Sequence, residues 1–199
     1  TSTIGWNIVG SGTFKYLGTE PCTYEESAFL AANYNCFDGG DAGGVTFGSG
    51  YKWQGTDATK QTVIELKGSN TVNECVVDHM LNAPYAYIRK SEPGIWRFTA
   101  TGEATQRSTY NNGFAVAEGT LRFDSIAEAG TVCALGYATS LQSSYTGDYD
   151  ASKDVPYAYL LGQENAQTDA VFEFTGARTG SCSTRPIALA GGARLRANG

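Results

Sequence analysis

Histidine occurs once in these 199 residues, as His79, and a single imidazole excludes metal sites built on two or three of them. A Ser-His-Asp triad would have to use it, and Asp78 beside it cannot usefully reach the same ring. There is no Gly-x-Ser-x-Gly turn to present a nucleophile and no Gly-x-x-x-x-Gly-Lys loop to cradle a phosphate. The five cysteines, Cys22, Cys36, Cys75, Cys133 and Cys182, form no Cys-x-x-Cys pair, which removes zinc ribbons and thioredoxin-like redox sites. Their odd number leaves at least one unpaired within the chain. Cys22 and Cys36 bracket a short segment and would close a loop if joined; otherwise all five are small buried hydrophobes. No stretch of 18 apolar residues exists, so no helical membrane span is expected. Fourteen Lys and Arg against 20 Asp and Glu give a net charge of -6, which repels phosphate backbones and disfavours nucleic acid as a partner.

What the chain has is glycine (25) and tyrosine (12), the makings of a turn-rich β-protein. One design occurs twice. Pro84-Tyr85-Ala86-Tyr87-Ile88 leads through a polar loop into Ile95-Trp96-Arg97-Phe98. Pro156-Tyr157-Ala158-Tyr159-Leu160 leads through another into Val171-Phe172-Glu173-Phe174. Each reads as strand, loop, strand, with Trp96 aligned to Phe172 and Phe98 to Phe174. Upstream, Gly12-Thr13-Phe14-Lys15-Tyr16 echoes Gly119-Thr120-Leu121-Arg122-Phe123. The pattern suggests one β domain over 1–199 made of duplicated units, about 1–102 and 103–180, with a C-terminal arm at 181–199. Two copies fall short of the three or more stacked units that a solenoid needs.

Along the chain, alternation predicts strands at Ile4 to Leu17, Val45 to Trp53 and Gln61 to Lys67, with Ile64 and Leu66 on one face. Val72, Val76 and Val77 read as strand. Thr23 and Glu26 stand in capping-box spacing before Tyr24 to Tyr34, the one predicted helix. Asn112-Gly113 suits a type I′ turn, so a hairpin is expected there, with strands at Phe114 to Ala117 and Gly119 to Phe123. Thr131 to Thr139 reads as a strand buried on both sides. The expected fold is therefore all-β: a β-sandwich or barrel of ten or more short strands with at most one short helix.

Three sets of residues are candidates for function. Tyr85, Tyr87, Tyr157 and Tyr159 pair on strand faces; exposed, they make an aromatic platform for a glycan or a partner chain, and buried, they are core. Asp148, Asp150 and Asp154 space oxygen ligands like part of a calcium loop, although the glycine and distal glutamate of an EF-hand are missing and Lys153 adds an opposing charge. Ile187, Leu189, Arg194, Leu195 and Arg196 alternate apolar and basic residues in the last stretch. No acidic residue follows Glu173, whereas Glu20, Glu25, Glu26, Asp38 and Asp41 crowd the beginning. The ends of the chain are thus complementary in charge.

These readings give a leading expectation: a non-catalytic structural subunit that assembles with copies of itself in a virion, phage tail or extracellular filament. The arm would add to an exposed sheet edge of a neighbour. No cofactor is expected. The first alternative is a secreted glycan- or ligand-binding β-barrel resting on the tyrosines. The second is a glycoside hydrolase using two carboxylates from among Glu65, Glu118 and Glu173.

Overall fold

A computed structural model of the chain describes residues 12–25, 28–30, 34–48, 53–55, 62–78, 86–99, 114–127, 133–135, 159–162, 169–177 and 187–197. Among them there are strands and no helix. The chain repeats one step: a strand in a first sheet, a turn, a strand in a second sheet, and a return to lay the next strand on the first. The first sheet stacks β1 (Gly12–Lys15), β4 (Tyr34–Asp38), β7 (Thr62–Lys67), β9 (Ala86–Lys90), β11 (Phe114–Val116), β13 (Tyr159–Leu161) and β15 (Ile187–Leu189). The second stacks β2 (Cys22–Tyr24), β5 (Val45–Phe47), β8 (Cys75–Val77), β10 (Ile95–Phe98), β12 (Gly119–Phe123), β14 (Ala170–Phe174) and β16 (Ala193–Ala197). A third, two-stranded sheet of β3 (Ala28–Leu30) and β6 (Trp53–Gly55) belongs to the first two rungs. Every described pairing is parallel. The architecture is a parallel β-solenoid of seven described rungs.

Parallel pairing in register stacks side chains into columns that run the length of the solenoid. In the first sheet Phe14, Phe37, Leu66, Lys90, Val116, Leu161 and Leu189 form one inward column. In the second, Tyr24, Phe47, Val77, Phe98, Phe123, Phe174 and Ala197 form another. The two sheets meet through rings: Phe37 meets Phe47 edge-on at 5.5 Å, and Phe98 meets Phe114 edge-on at 5.2 Å; within the second sheet Phe47 stacks on Trp96 at 6.2 Å. Offset and edge-on contacts of this kind add to the stabilisation that burial gives.

The turns are stacked as well. Asn70 is buried, yet its amide donates to the carbonyls of Ala42 and Gly43, and its side-chain oxygen accepts from the amides of Val72 and Asn73. One asparagine thus ties the turn of the third rung to that of the second. Gly119 has a positive φ of 75°, and a Cβ there would sit 2.3 Å from the carbonyl oxygen of Glu92 in the rung below. Only glycine suits that corner.

Several sequence expectations are corrected. The fold is a solenoid, not a β-sandwich or barrel. The stretch predicted as a helix, Tyr24 to Tyr34, carries the end of β2, all of β3 and the start of β4; parallel pairing of β2 with β5 overrides the local capping signal. Asn112-Gly113 lies outside the described residues, but β11 and β12 belong to different sheets and each pairs in parallel with strands before and after it. Val72 lies in a bend and is exposed. Of the Thr131 to Thr139 stretch, 133–135 are described, as a single bridge residue and a turn, and all three are buried. Cys22 and Cys36 are both free thiols, so no disulfide closes the loop between them.

The two similar stretches are rungs four and six. Trp96, Leu121 and Phe172 share a column, as do Phe98, Phe123 and Phe174. The tyrosine motif does not keep register: Tyr87 pairs with Val63, whereas Tyr159 pairs with Phe114 and so belongs to the column of Ile88.

Candidate assembly edge

The last described rung is where the predicted assembly residues come together. Ile187 and Leu189 lie on β15, and Arg194, Leu195 and Arg196 on β16. A tight turn joins the strands: Gly192 takes a positive φ of 76°, and the Ala193 amide donates to the Ala190 carbonyl at 3.2 Å. The turn is anchored to the sixth rung, with the Ala190 amide donating to Leu161 at 2.7 Å. The segment is therefore a full rung of the solenoid, paired along its whole inner edge with β13 and β14.

Its outer edge differs. β15 and β16 are terminal in their sheets, so among the described residues no strand pairs with their far sides. The column positions that are sealed elsewhere are open here: Ile187 is 39% exposed, Leu189 59% and Leu195 53%. Leu195 continues the column of Trp96, Leu121 and Phe172, and Leu189 that of Val116 and Leu161. An edge of this kind presents unpaired backbone groups beside apolar side chains, which is a template for another strand. Arg196 continues the outward column of Arg97, Arg122 and Glu173, in which Arg122 Nε holds the Glu173 carboxylate at 2.6 Å. Arg194 pairs with Asp169 at 2.8 Å, both well exposed, so that bridge contributes little.

At the opposite end, the first described rung presents Phe14, Cys22 and Tyr24, all half-buried, in the same columns. Glu20 and Glu25 flank β2 and are exposed. The charge contrast between the chain ends is thus a contrast between the two ends of the described solenoid.

No protein-family model, curated protein or solved structure matches the chain.

The other candidate sets are not brought together. Tyr85 and Tyr157 lie outside the described residues, and Tyr87 and Tyr159 stand in different columns. Asp148, Asp150 and Asp154 also lie outside them, as does His79. Among the described residues no three His, Cys, Asp or Glu side chains converge as a metal site. Glu65 and Glu173 sit in different sheets and are each engaged, Glu65 by the hydroxyls of Tyr34 and Ser91 and Glu173 by Arg122. Burial alone would raise the Glu65 carboxyl, but those two donated hydrogen bonds, with the charges of Arg89 and Lys67, together outweigh it and hold its pKa below the usual value. No described helix is long and apolar enough to cross a membrane.

Sequence reasoning missed Lys90. It occupies an inward position between Leu66 and Val116 and is fully buried. Its ammonium donates to the carbonyls of Ser91 (2.8 Å), Glu92 (2.5 Å) and Glu118 (3.2 Å), joining the turns of rungs four and five. Burial pushes its pKa down to about 7, against the pull of Glu92 and Glu118. The available signal was alternation: Ile88 and Lys90 must share a face.

Proposed function

We propose that the protein is a non-catalytic structural subunit that assembles with copies of itself, as a part of a virion, a phage tail or an extracellular filament. The observation that carries this reading is the open last rung, where Ile187, Leu189 and Leu195 stand exposed, whereas Leu161 and Phe172, the neighbours of Leu189 and Leu195 in the rung before, are buried. Covering the exposed part of each, roughly half of the side chain, stabilises a contact by about 0.6–1.8 kcal/mol before the costs of association. The free thiols Cys22, Cys36 and Cys75 favour a virion component assembled in a reducing compartment over a secreted filament.

The test is light scattering with sedimentation velocity over a wide concentration range at low and high salt. Concentration-dependent association that weakens with salt is the expected result, since charged ends steer the encounter. A strict monomer at high concentration overturns the reading.

A further inference from the structure

We infer that copies of the chain stack head to tail, with β15 and β16 of one copy laid in parallel on β1 and β2 of the next, so that the side-chain columns continue across the junction. This rests on the assembly reading above and specifies its geometry.

The geometry follows from the ladders. All described pairings are parallel and in register, so among the described residues the outer edge of the last rung offers one half of a parallel ladder and the outer edge of the first rung offers the other half. Carrying the registers across places Leu189 over Phe14, Leu195 over Cys22 and Ala197 over Tyr24. The exposed leucines then meet half-buried apolar residues of the same columns. Arg194 and Arg196 come within two residues of the exposed Glu20 and Glu25. Tail-to-tail pairing would instead set Arg194 and Arg196 against the same two arginines of the partner, and like charges opposed across strands destabilise. A heterologous contact of this kind does not close on two copies; it extends into an open filament or a ring.

Cys22 makes the junction testable. Adjacent strands lie about 4.8 Å apart, within the roughly 4.4–6.8 Å Cα separation that a disulfide spans. Leu195→Cys, in a Cys182→Ser background, should cross-link on mild oxidation into a ladder of dimers, trimers and longer species, and Cys22→Ser should abolish it. Ala188→Cys, which would lie over Thr13 in the other sheet, should give no link to Cys22. A cross-linked dimer that persists in Cys22→Ser means tail-to-tail pairing and overturns the inference while the assembly reading stands. Association of the unmodified chain in light scattering with no cross-link in either variant has the same meaning. If the unmodified chain is monomeric throughout, both fall together.

Discussion

Phe172 and Leu195 are neighbours in one column, yet Phe172 is 2% exposed and Leu195 53%. The strands that carry them have the same length, five residues each. What differs is the next layer: β14 lies between β12 and β16, whereas β16 has a described neighbour on one side. In a solenoid, burial is conferred by the adjacent rung, because no rung can cover its own apolar positions. Apolar residues of one column are therefore core in the middle and exposed at the end. That comparison yields graded expectations along the stack.

The largest effect is expected at Trp96. Its ring is 1% exposed and stacked on Phe47, and its Nε1 donates to the Lys67 carbonyl at 2.9 Å. Trp96→Ala removes the packing, leaves a cavity and takes one of two donors from the Lys67 carbonyl, which keeps the Gly39 amide at 3.0 Å, a loss of roughly 3–5 kcal/mol. Denaturant unfolding measures it directly. A loss under about 1 kcal/mol would mean that the interior columns are as loosely covered as the end, and the comparison would break.

How much of this was legible beforehand can be judged on the same residues. Alternation correctly placed Ile64 and Leu66 on one face, and both are buried. It also brought Trp96 into line with Phe172 and Phe98 with Phe174, pairs that do share columns. Alternation is a property of one strand, however, and a sandwich, a barrel and a solenoid share it. The distinguishing fact is which strand pairs with which. Rungs here return at uneven intervals: Ile64 stacks on Asn35 and Ile88 on Ile64, but Tyr159 stacks on Phe114 across a much longer connection. Without a fixed period the repeat shows in the sequence as two similar stretches, which are rungs four and six of the seven described. The Tyr24 to Tyr34 helix failed because a capping pair is worth less than the ladder that β2, β3 and β4 make with the next rung. At the candidate site, the alternation of Ile187 and Leu189 and the basic character of the segment were readable. Its place as the last described rung was not, since that depends on the stacking.

A smaller effect, and one that depends on pH, is expected in the fourth rung, at Lys90. Its pKa falls from 10.5 in the unfolded chain to about 7 in the folded one. Between those values the unfolded chain binds a proton that the folded chain has released, so this residue adds stability as pH rises through the window, and its penalty is complete below about 7. Cys36, Cys75 and Tyr34 act in the opposite direction above about pH 9, because burial raises their pKa values. The readout is therefore the difference between the unmodified chain and Lys90→Met. That difference should grow in favour of lysine from pH 7 to pH 10. At the top of the range the variant should be weaker by about 1–3 kcal/mol, since methionine leaves the carbonyls of Ser91, Glu92 and Glu118 without their donor. A difference that does not change with pH would show that Lys90 keeps its proton, held by three carbonyls that match the three hydrogens of an ammonium.

The smallest effect on folding is expected at Leu195, and it sharpens the comparison most. Leu195→Ser changes a side chain that already meets water on about half its surface. Within the monomer it should cost about 0.8–1.5 kcal/mol, for the half of its surface already buried. In the assembly the exposed half would be covered by Cys22 and its neighbours in the next copy, and losing that burial removes about 0.8–1.6 kcal/mol from the contact. Each 1.4 kcal/mol is a factor of ten in the dissociation constant, so association should weaken by roughly fourfold to fifteenfold. Measured together, unfolding in denaturant and self-association by sedimentation separate the two roles. A variant that unfolds as easily as Trp96→Ala would place Leu195 in the core of its own chain. A variant that folds normally but dissociates would place it at a junction, where the next rung belongs to another molecule.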